Sequence, residues 1–393
     1  MDFPLRYRHF LRQSQTEHTT LPQQPEPLQE LLGASSKVKG VEYVFFCSND
    51  RLGLAAHPKV RENAARAARR WGVGLGAPFL GGRLTLHDDL EQQLAEFLGR
   101  EASVVFNSGY LANVGVVPAL AREDDLVVID RHAHACIQDG FHLCRANKAR
   151  FAHNDSADLD RKLREYRDAQ GRLVVVEGVY SMSGEICPLP DIVKSCRSHQ
   201  ACLMVDDAHG FCTLGSAGRG TPTHFGLESD VDLLMGTFNK GLGSLGGFVA
   251  GDEALIGYLR RRPPTLLFTA AITPPQAAAA IAALNIMKSE PERFDCLWRN
   301  TRAMQRGLRA LGFDAGASST PIIPVRLQGE SQAAQVCVKL LEQGIFTQYV
   351  TYPAIPRGVA IIRLGVMATH TDNHINQALD AFRRVGTEMG ILP

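Results

Sequence analysis

Between residues 100 and 250 short apolar runs recur at 103–106, 126–129, 173–176, 202–205, 232–235 and 247–250, separated by stretches of mixed polarity long enough for a helix. A strand with a wet face alternates apolar and polar residues. These runs mostly do not alternate, so they read as strands buried on both faces, in a mainly parallel sheet covered by helices. Such sheets bind ligands at the carboxyl ends of their strands. From Pro274 an alanine-rich pattern, Gln276 through Met287, predicts a long helix leading out of this unit. The last hundred or so residues alternate helix and strand again, with runs at 322–325 and 360–364. Residues 1–45 are largely polar and punctuated by Pro22, Pro25 and Pro27, which predicts an arm or short helix. The organisation expected is an N-terminal arm over 1–45, a large α/β domain over 46–285 and a small C-terminal α/β domain over 286–393. A chain of 393 residues suits that division, because single cores stop growing at roughly 250–300 residues.

Charge and cysteine usage narrow the function class. The chain carries 42 basic and 41 acidic side chains, a formal net charge of +1, and no basic run that would track a nucleic acid. Its densest cluster, Arg260-Arg261-Arg262, reads as a solvated helix end. Nine cysteines lack CxxC spacing and make an odd count, which favours a reducing compartment over a disulfide framework and provides no metal site. The first thirty residues have no apolar signal core, and no stretch is apolar over the roughly eighteen residues a membrane span needs. The expectation is a cytoplasmic enzyme without an integral membrane segment, contact with a membrane surface remaining open.

The candidate chemistry sits at the ends of the apolar runs. Lys240, in Gly236-Thr237-Phe238-Asn239-Lys240-Gly241, follows one run, and Asp206-Asp207-Ala208-His209 closes another. A lysine at a strand end can form a Schiff base, and an aspartate on a neighbouring strand can hold the protonated nitrogen of a pyridine ring. Together they read as a site for pyridoxal 5'-phosphate (PLP). His209, three residues after Asp206, can approach the phenolic edge of that ring. Asp207 reads as structural. Asn107-Ser108-Gly109-Tyr110 opens a helix whose backbone amides can face a phosphate; taken alone, a glycine before a helix is more often an ordinary turn. His134, in Asp130-Arg131-His132-Ala133-His134, can stack on a flat ring, although an isolated histidine there is more often a satisfied hydrogen-bonding residue. Ser181, in Glu177-Gly178-Val179-Tyr180-Ser181-Met182, can donate to the phenolic oxygen, or be a plain strand-to-turn serine. Thr237 can reach the phosphate, and Arg363 can grip a carboxylate with two parallel bonds.

Taken in order, the segments at 106–113, 130–134, 177–185, 205–210, 236–241, 246–247 and 367–371 resemble the α-oxoamine synthases, from about Phe45 to the end of the chain. Further segments at 152–155, 224–227, 230–238 and 246–252 are most similar to bacterial serine palmitoyltransferases. The resemblance implies a fold-type I PLP-dependent transferase, with a seven-stranded mainly parallel sheet and a smaller C-terminal domain. It implies condensation of a small amino acid with an acyl thioester, with loss of carbon dioxide. It also implies that Lys240 carries the cofactor, His134 stacks on it, Asp206 pairs with the ring nitrogen, and His209 and Ser181 bond the phenolic oxygen. Gly109, Tyr110 and Thr237 would contact the phosphate, with Thr269 and Ala270 from a neighbouring subunit of a homodimer. Asn49 and Arg363 would lie near the substrate carboxylate.

Serine with a long-chain acyl-CoA is the expected substrate pair. The alternatives are a synthase resembling 8-amino-7-oxononanoate synthase, or one of a natural-product pathway, using alanine or glycine with a thioester on an acyl-carrier protein. An aminotransferase of the same fold would share Lys240 and Asp206. A non-catalytic partner subunit is the reading from another class. The chain departs from the family at Arg51, where tyrosine is usual, and at Pro78, where arginine is usual, both near the family's substrate entrance. The glycine-rich segment before Pro78 is one residue short. Ala77 replaces a serine or threonine, and Asn239 a serine or glycine, the latter read as without effect on the chemistry.

Overall fold

The structure, a computed structural model, describes residues 27–31, 33–352 and 354–392. Most of the expected arm therefore lies outside the described residues. The strands are β1 (Glu30–Leu31), β2 (Ser35–Val38), β3 (Val41–Phe45), β4 (Ala102–Phe106), β5 (Leu126–Asp130), β6 (Asn147–Phe151), β7 (Arg172–Glu177), β8 (Cys202–Asp206), β9 (Leu233–Thr237), β10 (Gly247–Gly251), β11 (Ile322–Leu327), β12 (Ile345–Phe346), β13 (Tyr349–Val350) and β14 (Ala360–Gly365).

Seven of them form the central sheet in the order β4-β10-β9-β8-β7-β5-β6. β10 runs antiparallel to both neighbours and every other pairing is parallel. Each apolar run became a strand, and the period of two divides it between two cores. Leu126, Val128, Val174, Val176, Leu203 and Val205 pack on one face, while Val127, Ile129, Leu173, Val175 and Met204 pack on the other. Each such side chain contributes about 1.5–3 kcal/mol on burial, so the sheet edge holding the site rests on a rigid support. The sequence patterns missed β6. This edge strand alternates, with Ala149 and Phe151 buried and Asn147 and Lys148 exposed, so it has no continuous apolar run.

The helix Pro274–Ser289 covers one face and leads into Glu292–Leu311. Beyond it β11, β14 and β13 make a three-stranded antiparallel sheet. Pro324 lies in β11, an edge strand, where a missing N–H is tolerated. A second small sheet, β1-β2-β3-β12, joins the start of the chain to its end, with β12 parallel to β3. Val44 and Phe46 pack with Met304, Leu308, Ile323, Ile362 and Phe382. The segment read as an arm thus pairs with the C-terminal unit. We propose the boundaries 46–285 and 286–393 for the two domains, with β2 and β3 seated on the smaller one.

That seating aims the loop 47–55 at the central sheet. His370 stacks on Phe46, with centroids 4.2 Å apart. Its ring also meets the Phe45 carbonyl at 3.2 Å and accepts the Met367 amide at 3.0 Å. The Ala368 amide donates to the Arg51 carbonyl at 2.8 Å. A Cβ on Gly53 would sit 2.2 Å from Thr369, and φ there is +68°, so glycine is required by both space and backbone. The motif Met367-Ala368-Thr369-His370-Thr371 works as the clasp of this loop.

Candidate active site

Five strands deliver their following residues to one edge of the sheet. β4 leads through Asn107 and Ser108 into the helix Gly109–Leu120, capped by the Ser108 hydroxyl, which accepts the Leu111 amide at 3.1 Å. β5 delivers His134, β7 Glu177 and Ser181, β8 Asp206 and His209, and β9 Thr237 and Lys240. Gly109, Tyr110, His134, Ser181, Asp206, His209, Thr237 and Lys240 all line one cavity of about 230 Å³.

Asp206 is buried and held from two sides. Its Oδ1 accepts the Ala208 amide at 3.0 Å and its Oδ2 the Asn113 side-chain amide at 2.6 Å. Asn113 is fully buried in a helix that is otherwise apolar. That placement is the signal by which sequence reasoning could have assigned it a role. Glu177 Oε1 accepts the His134 amide at 2.7 Å. Burial first, and the Asp206 charge second, hold the Glu177 carboxyl well above the usual carboxylate range. Cys136, also missed, places its sulfur 2.9 Å from His134 Nδ1 and 3.1 Å from the Asn113 amide.

The Lys240 ammonium is pushed below its ordinary value by burial and, more weakly, by the Arg363 charge, with Asp206 and Glu177 opposing. Burial likewise lowers His134. It lowers His209 well below the ordinary value, reinforced by Lys240, Arg363 and Arg51. Both imidazoles are therefore neutral at pH 7. Asp207 faces away from the cavity and accepts the Thr221 amide at 2.7 Å and hydroxyl at 2.6 Å. Burial pushes it up to about 7.

The donor set fits a phosphorylated pyridine aldehyde. His209 Nδ1 is buried without a hydrogen-bond partner among the described residues. A Cβ on Gly109 would lie 2.9 Å from Met235 Cε and 3.1 Å from Thr237 Cβ, so the start of this helix is bare backbone for steric reasons. Its first amides and the helix dipole favour an anion there. The Thr237 hydroxyl contacts Asn239 Oδ1 and the Gly246 carbonyl, the latter at 3.0 Å. Asn239 thus bears on Thr237, an effect the sequence reading did not assign.

Asn49 and Arg363 meet beside the cavity. Arg363 Nε donates to the Ser181 carbonyl at 2.7 Å, and its two terminal nitrogens each lie 3.3 Å from Asn49 Oδ1. Thr269 and Ala270 do not join Lys240 within the chain. They bond the Asn107 amide at 3.1 and 2.6 Å and line a separate cavity of about 150 Å³ with Pro78 and Phe79. A larger cavity of about 760 Å³, lined in part by Arg131, Arg326, Tyr352 and Arg357, adjoins the site through Ser181, which lines both.

Comparison with known proteins places this geometry. The model of the aminotransferase class I and II family matches residues 41–382. An 8-amino-7-oxononanoate synthase of Symbiobacterium thermophilum is 44% identical over 372 residues, covering 93% of this chain and 95% of that protein. A serine palmitoyltransferase of Sphingobacterium spiritivorum is 39% identical over 360 residues, covering 91% and 90%. The solved Sphingomonas wittichii serine palmitoyltransferase aligns over all of both chains with a TM-score of 0.95 and 32% identity. The chain belongs to the α-oxoamine synthases, within the aminotransferase class I and II family. This synthase is a PLP-dependent acyltransferase of fold type I, and the substrates of its family are an amino acid and an acyl thioester. Its relatives carry two names, so the sequence-based preference for serine palmitoyltransferase describes only part of them. Among the described residues of the synthase, no helix is long and apolar enough to cross a membrane.

Proposed function

We propose that the enzyme joins the Cα of a small L-amino acid to the carbonyl carbon of an acyl thioester, with loss of thiol and carbon dioxide, to give an α-aminoketone. The observation that carries this reading is the convergence of Lys240, Asp206, His134 and His209 on one cavity beside the half-buried, hydrogen-bonded pair Asn49 and Arg363. The first group handles a proton at Cα, and the pair receives a carboxylate. When bound, PLP supplies the electron sink for the carbanion at Cα. Lys240 would hold the cofactor. Burial lowers the lysine's basicity, which favours the free amine that takes the Cα proton and later returns it. Asp206, fixed by Asn113 and Ala208, would keep the proton on the ring nitrogen. His134, which lines the same cavity, would lie against the cofactor ring and be able to orient the incoming carbonyl. His209 and Ser181 would hold the phenolic oxygen, and the amides of Gly109 and Tyr110 with Thr237 would hold the phosphate. As the new C–C bond forms, the C–S bond breaks and the thiol leaves.

L-Serine with a long-chain acyl-CoA is the leading pair, supported by the structural likeness to serine palmitoyltransferases. Alanine with a shorter or carrier-bound acyl group is the second reading, supported by the 8-amino-7-oxononanoate synthase relatives. A homodimer sharing its sites is supported by Thr269 and Ala270, which hold the Asn107 amide within the chain but do not line the Lys240 cavity. A cytoplasmic location completes the reading. The deciding experiment titrates the holoenzyme with L-serine, L-alanine and glycine, following the cofactor's visible absorbance, and then adds palmitoyl-CoA. Saturation by one amino acid, with carbon dioxide released only after the thioester, supports the condensation. Amino-group transfer to a keto acid instead would establish an aminotransferase, and absence of a lysine-linked cofactor band would establish a non-catalytic subunit.

A further inference from the structure

Arg51, the residue that departs from the family's usual tyrosine, is buried, with 2% of its surface exposed. Its Nη1 donates to the Ser48 carbonyl at 3.0 Å and its Nη2 to Asn49 Oδ1 at 3.1 Å. That same amide oxygen faces both terminal nitrogens of Arg363. Every hydrogen-bond acceptor found for the two guanidiniums among the described residues is a neutral oxygen. The neighbouring carboxylate Asp50 is turned to the amides of Leu54 and Ala55, at 2.9 and 3.0 Å. Burial lowers Arg51 to about 9, with the Arg363 charge adding to it, and burial lowers Arg363 to about 10. Guanidinium stays protonated in proteins, so two positive charges, Arg51 buried and Arg363 half-buried, stand beside each other with no carboxylate bonded to either among the described residues.

The geometry also sets the amide. With Oδ1 held by donors from both arginines, Asn49 turns its NH2 away from them, a donor with no partner among the described residues. Arg363 is anchored on the Ser181 carbonyl, and Ser181 lines the Lys240 cavity.

We propose that Arg51 and Arg363, bridged by Asn49, form a paired-guanidinium seat for the carboxylate of the amino-acid substrate, with Arg51 the positioning residue that sets the enzyme's selectivity for free acids. The proposal rests on the amino-acid-dependent function given above and extends it to a residue outside the family's pattern. Arg51 acts through Asn49: it fixes the amide orientation and adds a second positive charge behind the first. An amino-acid ester, with the same amine but no negative charge, gains nothing from the second positive charge and only a weaker, neutral hydrogen bond from the amide.

The test uses holoenzyme, wild type and the variants Arg51→Gln and Arg51→Lys, each checked for cofactor content and thermal midpoint. Amino acids and their methyl esters are titrated by cofactor absorbance, and propionate is titrated by the rise in thermal midpoint. Arg51→Gln is expected to raise the half-saturating amino-acid concentration by about tenfold or more, with a smaller change in kcat and in ester affinity. It is also expected to reduce the propionate effect. Arg51→Lys, which keeps the charge but not the fork, should fall between, and it carries the test if the glutamine variant does not fold. Equal losses for acid and ester, or a propionate effect that is absent or that survives in the variant, overturn the seat. A wild type stabilised by propionate through Arg51 that condenses no amino acid with any thioester would instead sink the synthase substrate reading and leave the seat standing.

Discussion

Gly247, at the start of β10, supports the phosphate end of the site from below. A Cβ added there would lie 2.5 Å from the Gly109 amide nitrogen, 2.7 Å from Gly109 Cα and 2.8 Å from the Ser108 carbonyl carbon, whereas ordinary contact begins at 3.4 Å. All three are backbone atoms, so no rotamer change relieves the overlap. In Gly247→Ala, 3.4 − 2.5 = 0.9 Å must be found by shifting the start of the helix Gly109–Leu120 or β10 itself. Overpacking of this kind costs about 1–3 kcal/mol of stability. Weakening one or two charge-assisted bonds from the helix amides costs the cofactor about 2–3 kcal/mol, or about 30- to 150-fold in Kd. The assay strips the cofactor and titrates PLP back, following visible absorbance. Gly251→Ala serves as the control, because its Cβ would meet the Asp232 carbonyl at 2.7 Å at the other end of the same strand. It should lower the thermal midpoint comparably while leaving the cofactor Kd within about threefold, on the same overpacking argument. If Gly247→Ala also binds PLP within about threefold of wild type, the backbone at Ser108 and Gly109 is not the phosphate cradle, and the reasoning fails.

Further outcomes follow from other side chains of the site. Lys240→Ala should lose the lysine-linked absorbance band and at least about three orders of magnitude in turnover; retention of either one assigns the linkage elsewhere. His134→Phe keeps a flat ring but no ring nitrogen, so cofactor content should persist while kcat falls about 10²- to 10⁴-fold; full turnover would reduce His134 to a stacking surface. For Asp207 the folded protein holds the carboxyl proton more tightly than the unfolded chain, 3.8 becoming about 7. Its stabilising contribution is complete below about pH 4 and is lost as pH rises through about 7, up to about 4 kcal/mol in all. Asp207→Asn should remove that slope in urea unfolding at pH 5, 7 and 9, and a difference from wild type that stays constant with pH would contradict it.

The strands of the large sheet were legible because burial on both faces leaves continuous apolar runs, and their carboxyl ends marked Lys240, Asp206, His134 and Ser181. β6 escaped because an edge strand faces water along much of its length. The pairing of β3 with β12 escaped because it joins segments some 300 positions apart, Val44 with Ile345 and Phe45 with Phe346, and neither segment carries a pattern naming its partner. Asn113 was quoted within a motif yet given no task, since its bond to Asp206 depends on how a helix lies over the sheet. The contact of Asn239 with the Thr237 hydroxyl was not legible in the sequence, because it is a relation set by the turn after β9.

Local pattern determined the elements, the fold class, and the residues that stand at strand ends, because hydrophobic periodicity and strand-end chemistry are properties of neighbouring positions. Only the tertiary structure decided what those residues face. It set Asn113 against Asp206, carried the loop 47–55 across from the C-terminal unit, and buried Arg51 beside Arg363 with a single amide oxygen between them. Those relations depend on distances between elements far apart in the chain, and the cost of burying a charge is defined only once the surrounding packing has excluded water.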